Sequence, residues 1–154
     1  MAIYFLDSSG VVRRYIRETG SRWILDSVRP SANNSIYVAR IAGAEVVSAL
    51  ARRRKGNLLS PADTAKVINR FEKHFTRRYE KVNITPDLIT SAMKLADRYS
   101  LRGYDTVQLA AALEVEAEIK AVEASGSIFV SADNELNTAA QAKGLQVENP
   151  NNYP

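Results

Sequence analysis

Two hydrophobic periods alternate along the chain, and the alternation predicts an α/β fold. Short apolar runs typical of buried strands occur at 3–6, 35–38, 81–84, 127–130 and 145–147. Between them, apolar residues recur at helical spacing in segments around 11–16, 23–29, 40–55, 60–75, 85–96, 104–122 and 134–143. Strands that alternate with helices predict a short parallel β-sheet flanked by helices on both sides.

The chain length predicts one domain, which we expect over residues 1–148. Residues 149–154 form a polar C-terminal tail, which we expect to be loosely ordered. The apolar runs are too short to span a bilayer and the N-terminus lacks a signal-peptide pattern. We therefore expect a cytoplasmic protein without a membrane partner.

The amino-acid composition excludes several kinds of catalytic and structural site. The 154 residues include no cysteine and one histidine, His74, which excludes thiolate catalysis, disulfides and sites built from several histidines. His74 lies in a polar stretch that predicts a solvated helix residue rather than a general base. A formal net charge of +4 fits a polyanionic partner without establishing one.

Two acids directly follow predicted strands. Asp7 comes after Ile3–Leu6, and Asp133 follows Phe129–Val130 after two intervening residues, Ser131 and Ala132. Ligands of parallel α/β sheets bind beyond the carboxyl ends of the strands, where both carboxylates would face one crevice. An acid at such a place is also a common helix N-cap, so both interpretations stay open.

Two further acids interrupt apolar helical patterns. Asp105 is followed three residues later by Gln108, a spacing that fits a capping box, yet it also heads the apolar face continued by Leu109. Glu45 lies within a helix among small and apolar residues and has no basic residue three or four positions away. Burying such an acid is costly without a compensating cation. Clustered carboxylates without histidine or cysteine suit Mg²⁺ or Mn²⁺.

These residues resemble the PIN domain, and in particular the toxin ribonucleases of the VapC type. The resemblance covers nearly the whole chain and rests on the blocks Tyr4–Ser9, Ala44–Leu50, Leu101–Leu113 and Phe129–Leu136, of which the third is the most specific. It implies a three-layer α/β/α fold, hydrolysis of RNA by a metal-activated water, and in many members an antitoxin and a homodimer.

The resemblance also implies roles for individual residues. The acidic, catalytic cluster that binds Mg²⁺ or Mn²⁺ would be Asp7, Glu45, Asp105 and Asp133, with Asp133 the least consistent ligand. Ser8 or Ser131 would support these carboxylates by hydrogen bonds.

Basic residues near these acids are candidates for contacts with an RNA backbone. Arg13 and Arg14 follow Asp7, while Arg102 precedes Asp105 and is also a candidate internal partner for an acid. The basic run at 52–55 ends the helix that carries Glu45. Its simplest interpretation is a solvated helix end, and phosphate contact is the alternative.

Two other functions remain open. The chain could be a PIN nuclease of rRNA or tRNA processing without an antitoxin, or an RNA- or protein-binding module whose acids only cap helices. A nucleotide-binding Rossmann or P-loop enzyme is disfavoured because no glycine-rich loop follows a predicted strand.

Overall fold

The computed structural model describes residues 1–123 and 125–154, and over these ranges the chain forms five strands and seven α-helices. The strands are β1 (Ile3–Leu6), β2 (Ser35–Ala39), β3 (Glu80–Val82), β4 (Ile128–Val130) and β5 (Gln146–Glu148). The helices are α1 (Ser8–Tyr15), α2 (Ser21–Val28), α3 (Ala42–Lys55), α4 (Pro61–Arg77), α5 (Pro86–Tyr99), α6 (Gly103–Val122) and α7 (Asn134–Ala142). Within the described ranges, every helix is too short or too polar to cross a lipid bilayer.

All strands are parallel and lie in the order β3-β2-β1-β4-β5. In the centre, Phe5 of β1 pairs with Tyr37 on one side and with Phe129 on the other. From β1 the chain builds the sheet in one direction through β2 and β3, and later in the other through β4 and β5. The strand order therefore reverses between β1 and β4, which is where a crevice opens in parallel sheets.

The pleat sends alternate strand residues into two hydrophobic cores. Phe5 and Phe129 pack with α5, α6 and α7 on one face, whereas Leu6 and Val130 pack with α1 to α4 on the other. The predicted parallel sheet with helices on both sides is thereby confirmed. Because both faces are covered, the central strands β1, β2 and β4 are apolar at nearly every position, which is the pattern that predicted them, whereas the edge strands β3 and β5 are mostly polar.

Several element boundaries differ from the prediction. α1 ends at Tyr15, one residue earlier than the predicted segment, and Gly20 precedes α2 with a positive φ of 86°. The third strand begins at Glu80 rather than Lys81 and ends at Val82. The predicted start of α4 is confirmed, since the Ser60 side chain accepts a hydrogen bond from the backbone N–H of Asp63.

The C-terminal tail is packed, so the expectation of loose order is wrong. Pro150 is buried and begins a 3-10 helix, Pro150–Asn152. Tyr153 stacks on Trp23 with 4.6 Å between ring centroids and donates a hydrogen bond to Glu148. The aromatic ring supplies apolar contact that the polar composition of the segment concealed.

The packing of this tail makes Gly20 sensitive to substitution. At φ 86° any side chain is strained, and a Cβ at Gly20 would overlap the backbone carbonyl of Pro150. We expect Gly20→Ala to lower the free energy of unfolding by about 2–3 kcal/mol, measured by urea denaturation.

Gly144→Ala is the matched control. Gly144 has the same backbone strain, with φ 87°, but a Cβ there meets no described atom within 4 Å. We expect a loss of about 1 kcal/mol from strain alone. Equal losses in the two variants would contradict the packing of Pro150 on Gly20.

Candidate active site

Asp7 lies at the carboxyl end of β1 and is bound there by three hydrogen-bond donors. Its Oδ1 accepts from the Ser9 hydroxyl at 2.6 Å and from the backbone N–H of Gly10 at 2.9 Å, and its Oδ2 accepts from the Ser131 hydroxyl at 2.5 Å. The carboxylate is buried and caps α1. The capping interpretation is therefore correct for Asp7, and it also faces the crevice.

The neighbouring strand β4 ends in a segment that is bonded to the same place. The Asp7 backbone N–H donates to the carbonyl of Val130, and the backbone N–H of Ala132 donates to the Ser9 hydroxyl at 3.0 Å. Asp133 then caps α7 through Oδ1, which accepts from the backbone N–H of Leu136. One of its two oxygens thus remains without a donor in the described part of the chain.

Glu45 enters the site from α3, in the first turn rather than in the middle of the helix as predicted, because α3 begins only at Ala42. Its Oε1 accepts a 2.8 Å hydrogen bond from the Gln108 side-chain amide, and the Ser8 hydroxyl also hydrogen-bonds this carboxylate. The Gln108 amide also donates to Ser8 at 3.0 Å, so the three side chains form a closed triangle.

Asp105 lies in the first turn of α6, and the proposed capping box is wrong for this residue. The helix begins at Gly103, so Arg102 occupies the N-cap position, without a capping side-chain bond. Asp105 is the third residue of the helix and not its cap. No donor within residues 1–123 and 125–154 hydrogen-bonds its carboxylate. A structural cap therefore does not explain this half-buried acid.

The four carboxylates influence one another electrostatically. Burial, followed by the charges of Asp133 and Asp7, raises the pKa of Asp105 to about 6, which the Arg102 charge opposes. Burial, with the Asp105 charge adding to it, raises the pKa of Glu45, although the bonds from Gln108 and Ser8 act against it. Burial raises the pKa of Asp7 as well, with the Glu45 charge as a smaller cause. Four elements thus bring these acids close enough to influence one another electrostatically.

The chemistry of these side chains fits a hard divalent cation. All candidate ligands are oxygens, and the buried Oε1 of Gln108 has no partner among the described residues. Within that same part of the chain, no three acids or histidines are close enough to form a closed ligand set. Oxygen ligands of this kind are the ones that Mg²⁺ and Mn²⁺ take in proteins.

The predicted serines and arginines fall into different environments. Ser131 bonds Asp7 as expected, whereas Ser8 bonds the Glu45 side of the crevice. Arg13 uses all three of its guanidinium nitrogens, donating to the carbonyls of Thr19 and Ser9 and to the Asn151 side chain. These bonds engage three of the five N–H donors of Arg13, so the prediction that Arg13 holds an RNA backbone stays a prediction, which its bonding here does not favour.

Arg14 and His74 belong to a separate cluster between α1 and α4. Arg14 donates to the Tyr79 hydroxyl at 2.9 Å, and His74 bonds the Tyr15 hydroxyl at 2.8 Å. Burial and the nearby arginines lower the pKa of His74 to about 4. His74 is therefore a half-buried structural residue rather than the solvated one predicted. The prediction that Arg14 contacts RNA stays a prediction, which its bonding here does not favour.

Sequence reasoning missed Gln108 and Ser9 as site residues. Gln108 is a buried amide within an otherwise apolar stretch of α6, and the argument that singled out Glu45 applies equally to it. Ser8 was predicted to support Asp7 in place of Ser9, because the direction in which each hydroxyl points depends on the residue at which α1 begins. The Arg102 charge opposes the rise in the pKa of Asp105, but no ion pair among the described residues joins the two side chains, so both predictions for Arg102 stay predictions.

The fold and the acid-lined crevice together define an α/β/α protein of the PIN class. Comparison with known sequences gives two relatives, ribonucleases VapC45 and VapC49 of Mycobacterium tuberculosis strains CDC 1551 and H37Rv. Each is 31% identical over 147 residues, which cover 96% of this chain and 95% of the relative. No family model matches. The chain belongs to the VapC ribonuclease family.

Solved structures agree on the fold. A toxin–antitoxin complex from Klebsiella pneumoniae contains a chain with a TM-score of 0.58 and 17% identity, covering 97% of this chain and 98% of that one. VapC20 of Mycobacterium tuberculosis, a toxin that cleaves the sarcin–ricin loop, has a TM-score of 0.62 and 13% identity, with 92% and 95% coverage. The predicted three-layer PIN fold is confirmed.

Repulsion among the crowded acids should lower the free energy of unfolding, and the variant Asp105→Asn tests this. The pKa of Asp105 is raised on folding, so its charge destabilises the folded state above about pH 6 and ceases to matter as pH falls below the unfolded value of 3.8. In EDTA at pH 7.5, we expect Asp105→Asn to raise the free energy of unfolding by about 1 kcal/mol after allowance for solvent screening. The gain should disappear near pH 4.

Asp63→Asn is the matched control, because Asp63 also stands at the third position of a helix, in α4, and is exposed. We expect no gain there, since the carboxylate only favours the helix N-terminus. A destabilised Asp105→Asn at pH 7.5 would contradict the crowding of the four acids.

Proposed function

We propose that this protein is a Mg²⁺- or Mn²⁺-dependent endoribonuclease that hydrolyses RNA phosphodiester bonds at the acidic crevice. One observation carries the proposal: Asp105 is half-buried beside other acids, its pKa is raised, and no hydrogen bond from the described residues satisfies it. Family membership supports the same reaction. A purely structural acid would be bonded as Asp7 is, or replaced by a neutral residue.

The residues of the crevice divide into ligands and supports. Asp7, Glu45, Asp105 and Asp133 would hold the cation, with Ser131 and Ser9 orienting Asp7, and Gln108 and Ser8 orienting Glu45. A divalent cation held there supplies positive charge for the phosphoryl oxygens and lowers the pKa of water for attack. Nucleophilic cysteine is absent from the sequence, so water is the natural nucleophile.

We further propose that the protein acts as the toxin of a toxin–antitoxin pair, with an antitoxin as its protein partner. The structural match to a chain of the Klebsiella pneumoniae toxin–antitoxin complex supports this role, as does VapC family membership. A homodimer and a cytoplasmic location are further parts of the proposal, drawn from the family resemblance. An RNA-processing nuclease without an antitoxin would use the same crevice.

Cleavage of a mixed-sequence RNA tests the activity. We expect cleavage with Mg²⁺ or Mn²⁺, none in EDTA, and a rate at least about a hundredfold lower in Asp105→Asn, because the amide cannot supply the charge that the cation requires. The products are resolved on a denaturing gel. Asp63→Asn, with its exposed carboxylate on α4, should cleave at the wild-type rate.

A narrow target range could hide the activity in that assay, so Mn²⁺ binding is measured alongside by calorimetry. Wild-type protein that neither cleaves RNA nor binds Mn²⁺ through Asp105 would refute the nuclease and favour the binding module.

The support of Glu45 can be tested separately with Gln108→Leu. Leucine retains most of the volume of glutamine and removes the unpartnered Oε1. We therefore expect the free energy of unfolding to change by less than about 1 kcal/mol. Glu45 loses its amide donor, and we expect cleavage to fall about ten- to a hundredfold. Unchanged cleavage with intact folding would show that Gln108 does not orient Glu45.

A further inference from the structure

A cavity of about 390 Å³ lies between α1 and α3. One wall is α1, including Ser8, Ser9 and Arg13, and the other is α3. Glu45 lines one end of it, so the cavity is continuous with the candidate active site. Its volume lies within the range of sites that hold small organic ligands, and a nucleotide unit is of that size.

The α3 wall is a single helical stripe. Glu45, Ser48, Ala49 and Arg52 are spaced at i, i+3, i+4 and i+7, so their side chains share one face of the helix, and all four line the cavity. Arg52 stands about 10 Å along the helix axis from Glu45. The stripe therefore runs from an acid at the N-terminus of α3 to a cation near its C-terminus.

The arginines at the far end of the cavity are not equivalent. Arg53 is paired with Glu18, which also approaches Arg13 at 3.5 Å, so one carboxylate engages both of these guanidinium groups. Arg52 is exposed and makes no ion pair with any residue of 1–123 or 125–154. Among these three side chains, Arg52 alone has its full hydrogen-bonding capacity available to a ligand.

We propose that Arg52 binds a backbone phosphate of the RNA strand, next to the phosphate that reaches the acids, so that the α1–α3 cavity is the path of the strand on this side of the cleavage point. The inference rests on the proposed function. The separation of the charges supports it, because a polyanion would contact the acids only through a cation yet can bind Arg52 directly. Arg53 and Arg13 shape the wall of this path.

Arg52→Ala tests the proposal, with Arg54→Ala as the matched control. Arg54 is exposed on the same helix end and carries the same charge, but it does not line the cavity. For a labelled 20-nucleotide single-stranded RNA, we expect Arg52→Ala to raise KM about tenfold with kcat changed less than about twofold. Arg54→Ala should change both by less than twofold. Arg52→Lys should restore part of the loss, since it keeps the charge without the planar fork.

Binding of the same RNA in EDTA, followed by fluorescence anisotropy over a salt series, separates this proposal from the nuclease proposal. We expect the slope of log Kd against log salt to fall by about 0.7 in Arg52→Ala, the value for one phosphate contact on a single strand, and to stay unchanged in Arg54→Ala. If wild type binds RNA in EDTA but does not cleave it when Mg²⁺ or Mn²⁺ is supplied, the nuclease proposal fails while the salt slope still decides on Arg52. Equal behaviour of the two alanine variants, or no RNA binding by wild type, overturns the assignment.

Discussion

Repulsion among carboxylates at the carboxyl edge of β1 and β4 is the constraint on which the site depends. Four acids from four elements lie where the strand order reverses, and burial raises the pKa of three of them, Asp7, Glu45 and Asp105. Like charges remain in such a place only if donors or cations stabilise them. The hydroxyls of Ser9 and Ser131 and the Gln108 amide supply donors, and they bond Asp7 and Glu45.

The hydrogen-bond donors are unevenly distributed among the acids. This difference distinguishes an acid that the fold holds in place from one whose charge is left for a cation. Asp7 accepts three hydrogen bonds, so its position is fixed by β1, α1 and β4 together. Asp105 accepts none from the described residues and has its pKa raised to about 6. Asp7 is thus the acid that the fold holds rigidly. Asp105 is the acid whose charge an added cation would stabilise most. Capping and metal binding are compatible at Asp7 because a carboxylate offers about four acceptor positions.

The strands, the layers and the convergence of acids could be predicted because they follow from local pattern. Apolar runs revealed the strands, and parallel topology brings their carboxyl ends to one edge. The pairing of hydroxyls with carboxylates could not be predicted, since a shift of one residue in the start of α1 exchanges Ser8 and Ser9. Packing of Tyr153 on Trp23 depends on a contact across 130 residues of sequence, which no local pattern encodes.

The basic C-terminal end of α3 shows what the structure reveals beyond the number of charged residues. Glu45 in the first turn and Arg52 to Lys55 in the last complement the helix dipole, so charge placement alone is explained by helix stability. The helical period, however, turns Arg52 to the face that Glu45 occupies and turns Arg54 away from it. The same charges that stabilise α3 thus give the cavity an acidic and a basic end. For the proposed contact between Arg52 and RNA, the face of α3 on which a cation lies matters more than the number of cations at the helix end.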